Sequence, residues 1–256
     1  MKPLTMFDMQ LDFLATNQAP QKREKVIMFS RIMVSGLFAG AIAGIIAGFL
    51  QWYFVQPVLL HSELYETGIL THFDGSNNSA HPDLEYIQPM RDGLSLIFSM
   101  LIYTGYALIL IAAMTLRQQK SETTITFHQG IIWGVSGFFV MHLAPAISLP
   151  PEVPGAAAAE LQPRQIWWFA TTLLTAGGLW IIAFTEKVSS FIIGAALILV
   201  PHIFGAPEPD IFTGPAPTEI GALFASRALG VGLISWAILG VLSAFFLQKE
   251  TLRATS

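Results

Sequence analysis

Long apolar stretches without charge constrain this chain more than any other feature of its sequence. Six such runs are separated by polar connections, and the last carries a single charge, Arg227: residues 32–58, 93–116, 125–149, 166–185, 188–204 and 220–247. A helix that crosses a bilayer needs about 20 mostly apolar residues, and residues 188–204 fall short of this length. The sequence therefore predicts an all-α, polytopic membrane helix bundle with six transmembrane helices, or five if the short run does not cross.

Charge in the connections predicts the orientation of this bundle. If six spans are assigned, ten of the 13 Lys and Arg residues lie on the side that holds both termini, whereas 11 of the 17 Asp and Glu residues lie on the other side. Basic residues near span ends stay on the cytoplasmic side, so both termini are predicted to be cytoplasmic. The predicted divisions are a cytoplasmic extension (residues 1–28), a membrane domain (residues 29–247) and a cytoplasmic tail (residues 248–256).

Composition argues against several classes of function. Only 12% of the residues are charged and the net charge is −4, which disfavours a nucleic-acid binder. The absence of Cys excludes disulfides, Cys-ligated metal clusters and thiol nucleophiles. No HExxH, GxSxG or Walker A motif is present. We therefore expect neither an enzyme nor an intrinsic cofactor, and no nucleotide site.

Glycine and proline spacing predicts how the spans pack and end. Gly36, Gly40, Gly44 and Gly48 follow one another at intervals of four, so they form one smooth face of the first helix, where a second backbone can approach closely. The third span, with Gly130, Gly134 and Gly137, is the expected partner. The proline-rich stretch 149–155 predicts a stiff extended connection. Trp167 and Trp168 are expected to form an interfacial aromatic pair, and Arg164 and Arg227 to pair with Glu160 and Glu219 or to snorkel.

Histidines supply the candidate chemistry. Five of the six His residues fall on or near the outer side, and three of these stand beside a proline at the end of a span: His61, His142 and His202. Imidazole and carboxylate together suit Co²⁺, Ni²⁺, Zn²⁺ or Cu²⁺ better than a hard alkaline-earth ion. The candidate metal ligands are His61, Glu63, Glu66, His142, His202 and His128, and we expect His142 and His202 to line a cation site at the outer mouth.

The relation between His128 and His142 leaves two interpretations open. These residues stand 14 positions apart, which places them on nearly the same helix face and about 21 Å apart along the axis. They could be successive stations for a cation, or axial ligands of two haems, although no His is available to pair with His128. The connection that holds His72 and His81 also carries Asp74, Asp83 and Glu85, and it is consistent with either weak metal capture or a solvated loop.

Several motifs in order along the chain resemble the CbtA-type family of proposed cobalt transporter subunits. The resemblance covers about residues 29–247. It is carried by Phe29-Ser30-Arg31, Gln56-Pro57, Glu63-Leu64-Tyr65-Glu66, Arg91-Asp92-Gly93, His142-Leu143-Ala144-Pro145, Leu149-Pro150-Pro151-Glu152-Val153-Pro154-Gly155, Arg164-Gln165-Ile166-Trp167-Trp168 and Pro201-His202-Ile203-Phe204-Gly205-Ala206-Pro207.

The resemblance implies a multi-pass protein of the bacterial inner membrane that moves Co²⁺ or a related divalent metal. It also implies a small one-span CbtB-type membrane subunit as a partner, beside the lipid bilayer itself. Two other functions stay open at the level of the sequence. One is a non-transporting accessory or structural subunit of a larger membrane complex, and the other is haem or pigment binding through intramembrane His residues.

Overall fold

The computed structural model describes residues 6–72, 79–84, 87–121 and 123–255, with side chains described in 28–72, 79–84, 87–121 and 123–253. Within these ranges the chain is helical and contains no strand, which confirms the all-α prediction. The helices are α1 (Met6–Leu50), α2 (Gln56–Glu66), α3 (Pro89–Ser121), α4 (Phe127–Phe138), α5 (Ala144–Ser148), α6 (Leu161–Phe184), α7 (Val188–Phe204) and α8 (Thr218–Thr255), with π-helical segments at Gln51–Val55 and Phe139–Leu143.

Five helical stretches are long and apolar enough to cross a membrane. They are Met28–Glu66, Pro89–Ser121, Phe127–Ser148, Leu161–Phe184 and Thr218–Arg253. The shorter apolar helix α7 has 17 residues. Each predicted run is therefore helical except for a few residues at its ends. The chain is a multi-pass membrane protein with five helices of spanning length and a sixth, shorter apolar helix.

The long helices α3 and α8 each pack antiparallel to α1. At one end of the bundle, the Phe38 ring of α1 stacks on Phe246 of α8 at 5.7 Å between centroids, and the Gln119 amide of α3 lies 2.6 Å from Sδ of Met28. At the other end, Arg227 of α8 donates to the Phe54 carbonyl at 3.1 Å. We call the first end the terminal end and the second the distal end, because α1 begins and α8 ends on the side of the first.

The glycine face of α1 packs against α3, not against the third span as the sequence led us to expect. A Cβ added to Gly44 would lie 2.5 Å from Cα of Met100 and 2.7 Å from the Ser99 carbonyl oxygen, and one on Gly40 would meet the backbone of Thr104. The glycine face can pack closely against any helix whose own backbone is accessible at the contact. The contact is made by α3, the next long helix in the chain, and not by the glycine-rich third span.

The glycines of the third span face α8 instead. A Cβ on Gly130 would lie 2.7 Å from the Gly240 carbonyl oxygen, and one on Gly134 would meet the Trp236 backbone. The contact is mutual, since a Cβ on Gly240 would meet Gly130 and Gly134 in turn. Two glycine-mediated interfaces thus bind four helices together, α3 to α1 and α4 to α8, with α1 and α8 also in contact.

Helices α6 and α7 form an antiparallel hairpin beside this four-helix core. Gly178 and Gly194 face each other, and a Cβ on Gly194 would lie 2.6 Å from the Gly178 carbonyl oxygen. At the distal end, the Trp167 indole donates to the Pro201 carbonyl at 3.2 Å. Trp167 is therefore buried between the two helices and is not an interfacial residue facing lipid. The 17 residues of α7 run back along α6 from Phe184 to the level of Trp167.

The distal end is covered by an irregular connection. Residues 149–160 are not helical, as the prolines predicted, and Ala157 donates to the Thr213 carbonyl at 2.9 Å. Val153 packs with Val58, Tyr65 and Ile220 in a small apolar cluster. Within the predicted outer loop, residues 73–78 and 85–86 lie outside the described residues, and Asp74 and Glu85 are among them.

Candidate functional site

Two π-helical segments carry the chain into the distal end, and each directly precedes a proline-containing helix. The first (Gln51–Val55) leads into α2, where Pro57 stands in the first turn, and the second (Phe139–Leu143) leads into α5 and Pro145. Proline has no N–H and its ring crowds the carbonyl of the preceding turn. A widened turn accommodates this without breaking the helix, and such π-bulges are frequent at functional sites. At Pro57 and Pro145 the expected helix breaks are therefore π-helical turns, whereas Pro201 lies inside α7.

His142 lies inside the second π-helical segment and is enclosed by aromatic rings. Its ring centroid is 5.9 Å from Phe138, 6.1 Å from Tyr106 of α3 and 6.1 Å from Trp236 of α8. Tyr106 is near the middle of the charge-free run 93–116. The structure therefore places His142 near mid-depth in the bundle, among α3, α4 and α8, and not at the distal mouth.

His202 lies at the distal end of the α6–α7 hairpin. Its Nδ1 is 3.1 Å from the Ser148 hydroxyl at the end of α5, and its ring centroid is 5.9 Å from that of Trp167. Ser148 follows His142 by six residues, about 9 Å along a helix axis. His142 and His202 therefore occupy different depths and contact different helices, so the structure does not assemble them into one mouth site.

His61 and its two carboxylate neighbours lie on α2. The His61 ring packs at 5.6 Å from Tyr65. Glu63 is partly buried and Glu66 is exposed. A Cβ on Gly155 would lie 3.3 Å from Cγ of Glu66, so this carboxylate side chain lies against the proline-rich connection. His128, by contrast, is exposed in the first turn of α4 at the terminal end, between the capping-box residues Thr126 and Gln129.

The three proline-flanked histidines share one property. In each, Nε2 is buried and has no hydrogen-bond partner among the described residues: His61, His142 and His202. A buried polar atom without a partner is destabilising, and such atoms are rare in native proteins unless a ligand, ion or water satisfies them. The described residues contain no cluster of three His, Asp or Glu side chains able to hold a metal ion together. The arrangement offers separated single imidazoles at two depths.

Sequence reasoning missed the partners of these groups. Trp236, 3% exposed, and Tyr106 form the walls around His142, and their rings are 4.8 Å apart. Aromatic residues in the middle of the second and sixth spans were the available signal. Nothing in the sequence indicated which of these aromatic residues would face His142.

The two outer arginines have other partners than expected. Arg164 pairs with Glu152 at 2.6 Å, not with Glu160, because the proline-rich connection folds back over the start of α6. Arg227 donates to the Phe54 carbonyl in the first π-helical segment. A backbone acceptor in this irregular stretch thus takes the place that Glu219 was expected to fill.

Asp92 organises a further polar contact at the distal end. Its carboxylate accepts from the Gln56 amide at 3.1 Å, from the Arg91 guanidinium at 3.0 Å and from the Gln88 backbone N–H at 3.0 Å. These bonds join the start of α3 to the start of α2. Beside them is a cavity of about 410 Å³ between the first π-helical segment and α3.

Comparison with known proteins gives one family. The family model described as "Probable cobalt transporter subunit (CbtA)" matches residues 29–248. This range contains α7 and three of the five membrane-length helices in full, and it lacks only the first residue of Met28–Glu66 and the last five of Thr218–Arg253. No curated protein and no solved structure matches the chain. The matched range contains His61, His142 and His202 together with both π-helical segments.

Proposed function

The chain belongs to the CbtA family of probable cobalt transporter subunits, and from that premise we propose that it moves Co²⁺ or a related divalent metal ion across a bacterial inner membrane. The observation that carries the proposal is the extent of the family match, which covers the helical bundle from residue 29 to residue 248. No catalytic step is proposed, since the work of such a subunit is binding and release.

The proposed path uses single imidazoles at successive depths. His61 and His202 would meet the ion at the distal end and His142 at mid-depth, with His128 at the terminal end and Glu63 or Glu66 adding carboxylate oxygen near the entrance. The buried, unpartnered Nε2 atoms of His61, His142 and His202 support these assignments. If Nδ1 of His202 donates to Ser148, Nε2 carries the lone pair that a metal requires. Few ligands per station suit transport, because an ion held by a full coordination set leaves slowly.

The proposed topology has six crossings with both termini in the cytoplasm. The antiparallel course of α7 along α6, from Phe184 to Trp167, supports a crossing by the short helix. In that arrangement the terminal end, with most of the basic residues, faces the cytoplasm. The word "subunit" in the family description implies a partner chain, and we propose a small one-span CbtB-type protein for that role.

One observation favours a second candidate, a non-transporting accessory subunit. The described residues hold no three-ligand metal cluster, so the chain could support a partner that carries the ion. Both candidates are tested by measuring labelled Co²⁺ uptake in a host that lacks its own cobalt uptake system. The host would express the chain alone, the chain with its partner, or the partner alone.

Uptake that requires the chain and is lowered by substitution of its histidines supports the transport proposal. Uptake by the partner alone, merely increased by the chain and insensitive to those histidines, favours the accessory subunit. No movement of any divalent metal under any of the three conditions would contradict both.

A further inference from the structure

A long groove on the side of the bundle is not explained by metal transport. It lies between α3, α4 and α6 and has a volume of about 470 Å³. Its walls are largely apolar, with Ile132, Trp133, Leu179 and Trp180 among the lining residues. It begins at the terminal end of the bundle, where Arg117 and Gln129 line it, and reaches Tyr106 at its inner limit.

The length of the groove corresponds to one leaflet of a bilayer. Arg117 follows Tyr106 by eleven residues on α3, which is about 16 Å along the helix axis. The hydrocarbon core of a bilayer is about 30 Å thick, so the groove extends from the membrane surface to about mid-depth. A transmembrane helix from a partner would need a contact surface across the full thickness of the membrane, whereas a lipid acyl chain extends through only half of that thickness.

The positively charged side chain of Arg117 and several hydrogen-bonding groups lie at the mouth of the groove. The Arg117 guanidinium carbon lies 4.8 Å from the centroid of the Phe184 ring, which holds the side chain at the groove edge. Arg117 makes no ion pair with any other described residue. The hydroxyls of Ser121 and Thr123, which also line the groove, are 2.8 Å apart. The mouth therefore presents positive charge and hydrogen-bonding groups without a carboxylate from the described chain.

This combination of charge and apolarity disfavours a path for a divalent cation and suits an anionic lipid. A fixed guanidinium repels a metal ion, whereas its planar donors match phosphate oxygens. We propose that the groove binds one acyl chain of an anionic phospholipid, with the lipid phosphate on Arg117 and the chain running inward to Tyr106. Tyr106 and Trp236 line the inner part of the groove and also surround His142. The bound chain would thus close the side of the aromatic enclosure that faces the bilayer.

Thermal unfolding of the full-length, detergent-purified protein tests this proposal. Delipidated protein would be titrated with phosphatidylglycerol or with phosphatidylcholine carrying the same acyl chains. We expect phosphatidylglycerol to raise the Tm saturably and at lower concentration than phosphatidylcholine. Arg117→Gln should weaken the apparent affinity for phosphatidylglycerol about tenfold, the loss expected for one charge-assisted hydrogen bond, and Arg117→Lys should retain part of it.

Matched variants distinguish lipid binding in the groove from lipid binding elsewhere on the protein surface. Lys120→Gln removes an exposed charge near Arg117 that does not line the groove, and it should leave the titration unchanged. Ala176→Trp fills the groove and should abolish the response, whereas Leu173→Trp, on the 70% exposed position three residues earlier in α6, should not.

Three outcomes would overturn the proposal. The first is an equal response to the two lipids. The second is an equal loss in Lys120→Gln and Arg117→Gln. The third comes from native membranes, with a photoreactive label attached to the thiol of Ala176→Cys. Crosslinking of this label to a partner polypeptide, and not to phospholipid, would show that a protein occupies the groove.

Discussion

At the scale of single residues, the unpartnered imidazole nitrogens are the feature with the clearest consequence. Burying a donor or acceptor without a hydrogen bond costs about 1–3 kcal/mol, and the chain has three such Nε2 atoms among its described residues, in His61, His142 and His202. His142 is the most enclosed by aromatic rings. If the His142 side chain only filled space, a phenyl ring would fill the same enclosure without the cost of desolvating the imidazole nitrogen.

Replacing His142 by Phe separates these two roles. The variant keeps an aromatic ring against Phe138, Tyr106 and Trp236, so we expect an unchanged amount of folded protein in the membrane. Labelled Co²⁺ uptake should fall about tenfold or more, because even groups that only orient a metal ligand contribute 10–100-fold to metal affinity. His81→Ala, at an exposed position in the loop after α2, is the control and should matter less. Equal uptake by His142→Phe and the wild-type chain would make His142 a packing residue.

At the scale of helices, close packing through glycine determines which elements stay together. In lipid there is little hydrophobic drive to bring helices together, so short backbone contacts and van der Waals packing take its place. Two of these interfaces can be tested against glycines that meet nothing within 4 Å, which the same helices provide.

The α1–α3 interface is tested by Gly40→Ala. A methyl group there would meet the Thr104 backbone, which cannot move aside as a flexible side chain can. We expect the free energy of unfolding in detergent to fall by about 1–3 kcal/mol, the range for overpacking. Gly105→Ala on α3 adds the same methyl group in open space and should be neutral or stabilising, since Ala favours helix over Gly. A stable Gly40→Ala protein would show that α1 and α3 are farther apart than described.

The α6–α7 hairpin is tested by a pair of adjacent glycines. Gly178→Leu inserts a side chain into the contact with Gly194, whereas Gly177→Leu points into open space. We expect Gly178→Leu to separate α7 from α6 and to expose the hairpin connection to protease in membrane vesicles, with Gly177→Leu behaving as wild type. Identical cleavage of the two variants would contradict the hairpin.

At the scale of the whole molecule, the orientation of the bundle is the main prediction. The chain contains no Cys, so single Cys substitutions can report sidedness without background. In intact cells, a membrane-impermeant maleimide should label Ser79→Cys and Glu208→Cys. It should label Glu186→Cys and Lys249→Cys only after the cells are permeabilised. Labelling of Glu186 and Glu208 from the same side would mean that α7 does not cross, and the five-span arrangement would then hold.

The sequence by itself determined the helical class and the positions of the six apolar helices along the chain. These properties are local: in a bilayer every backbone group must be hydrogen-bonded within its own segment, so an apolar run of sufficient length becomes a helix whatever its neighbours are. The glycine spacing of α1 likewise predicted a close helix contact, and the prolines of residues 149–155 predicted an irregular connection.

Only the tertiary structure decided which surfaces meet. The α1 ridge packs on α3 and not on the third span, Arg164 pairs with Glu152 and not with Glu160, and His142 lies at mid-depth, away from His202. Apolar helix faces have similar affinity for one another and for lipid, so the sequence carries little energetic preference for one neighbour. The π-helical segments also change which direction the following residues face, because a single widened turn rotates all of them about the helix axis. The shape of the assembled bundle therefore decides where each imidazole and arginine points.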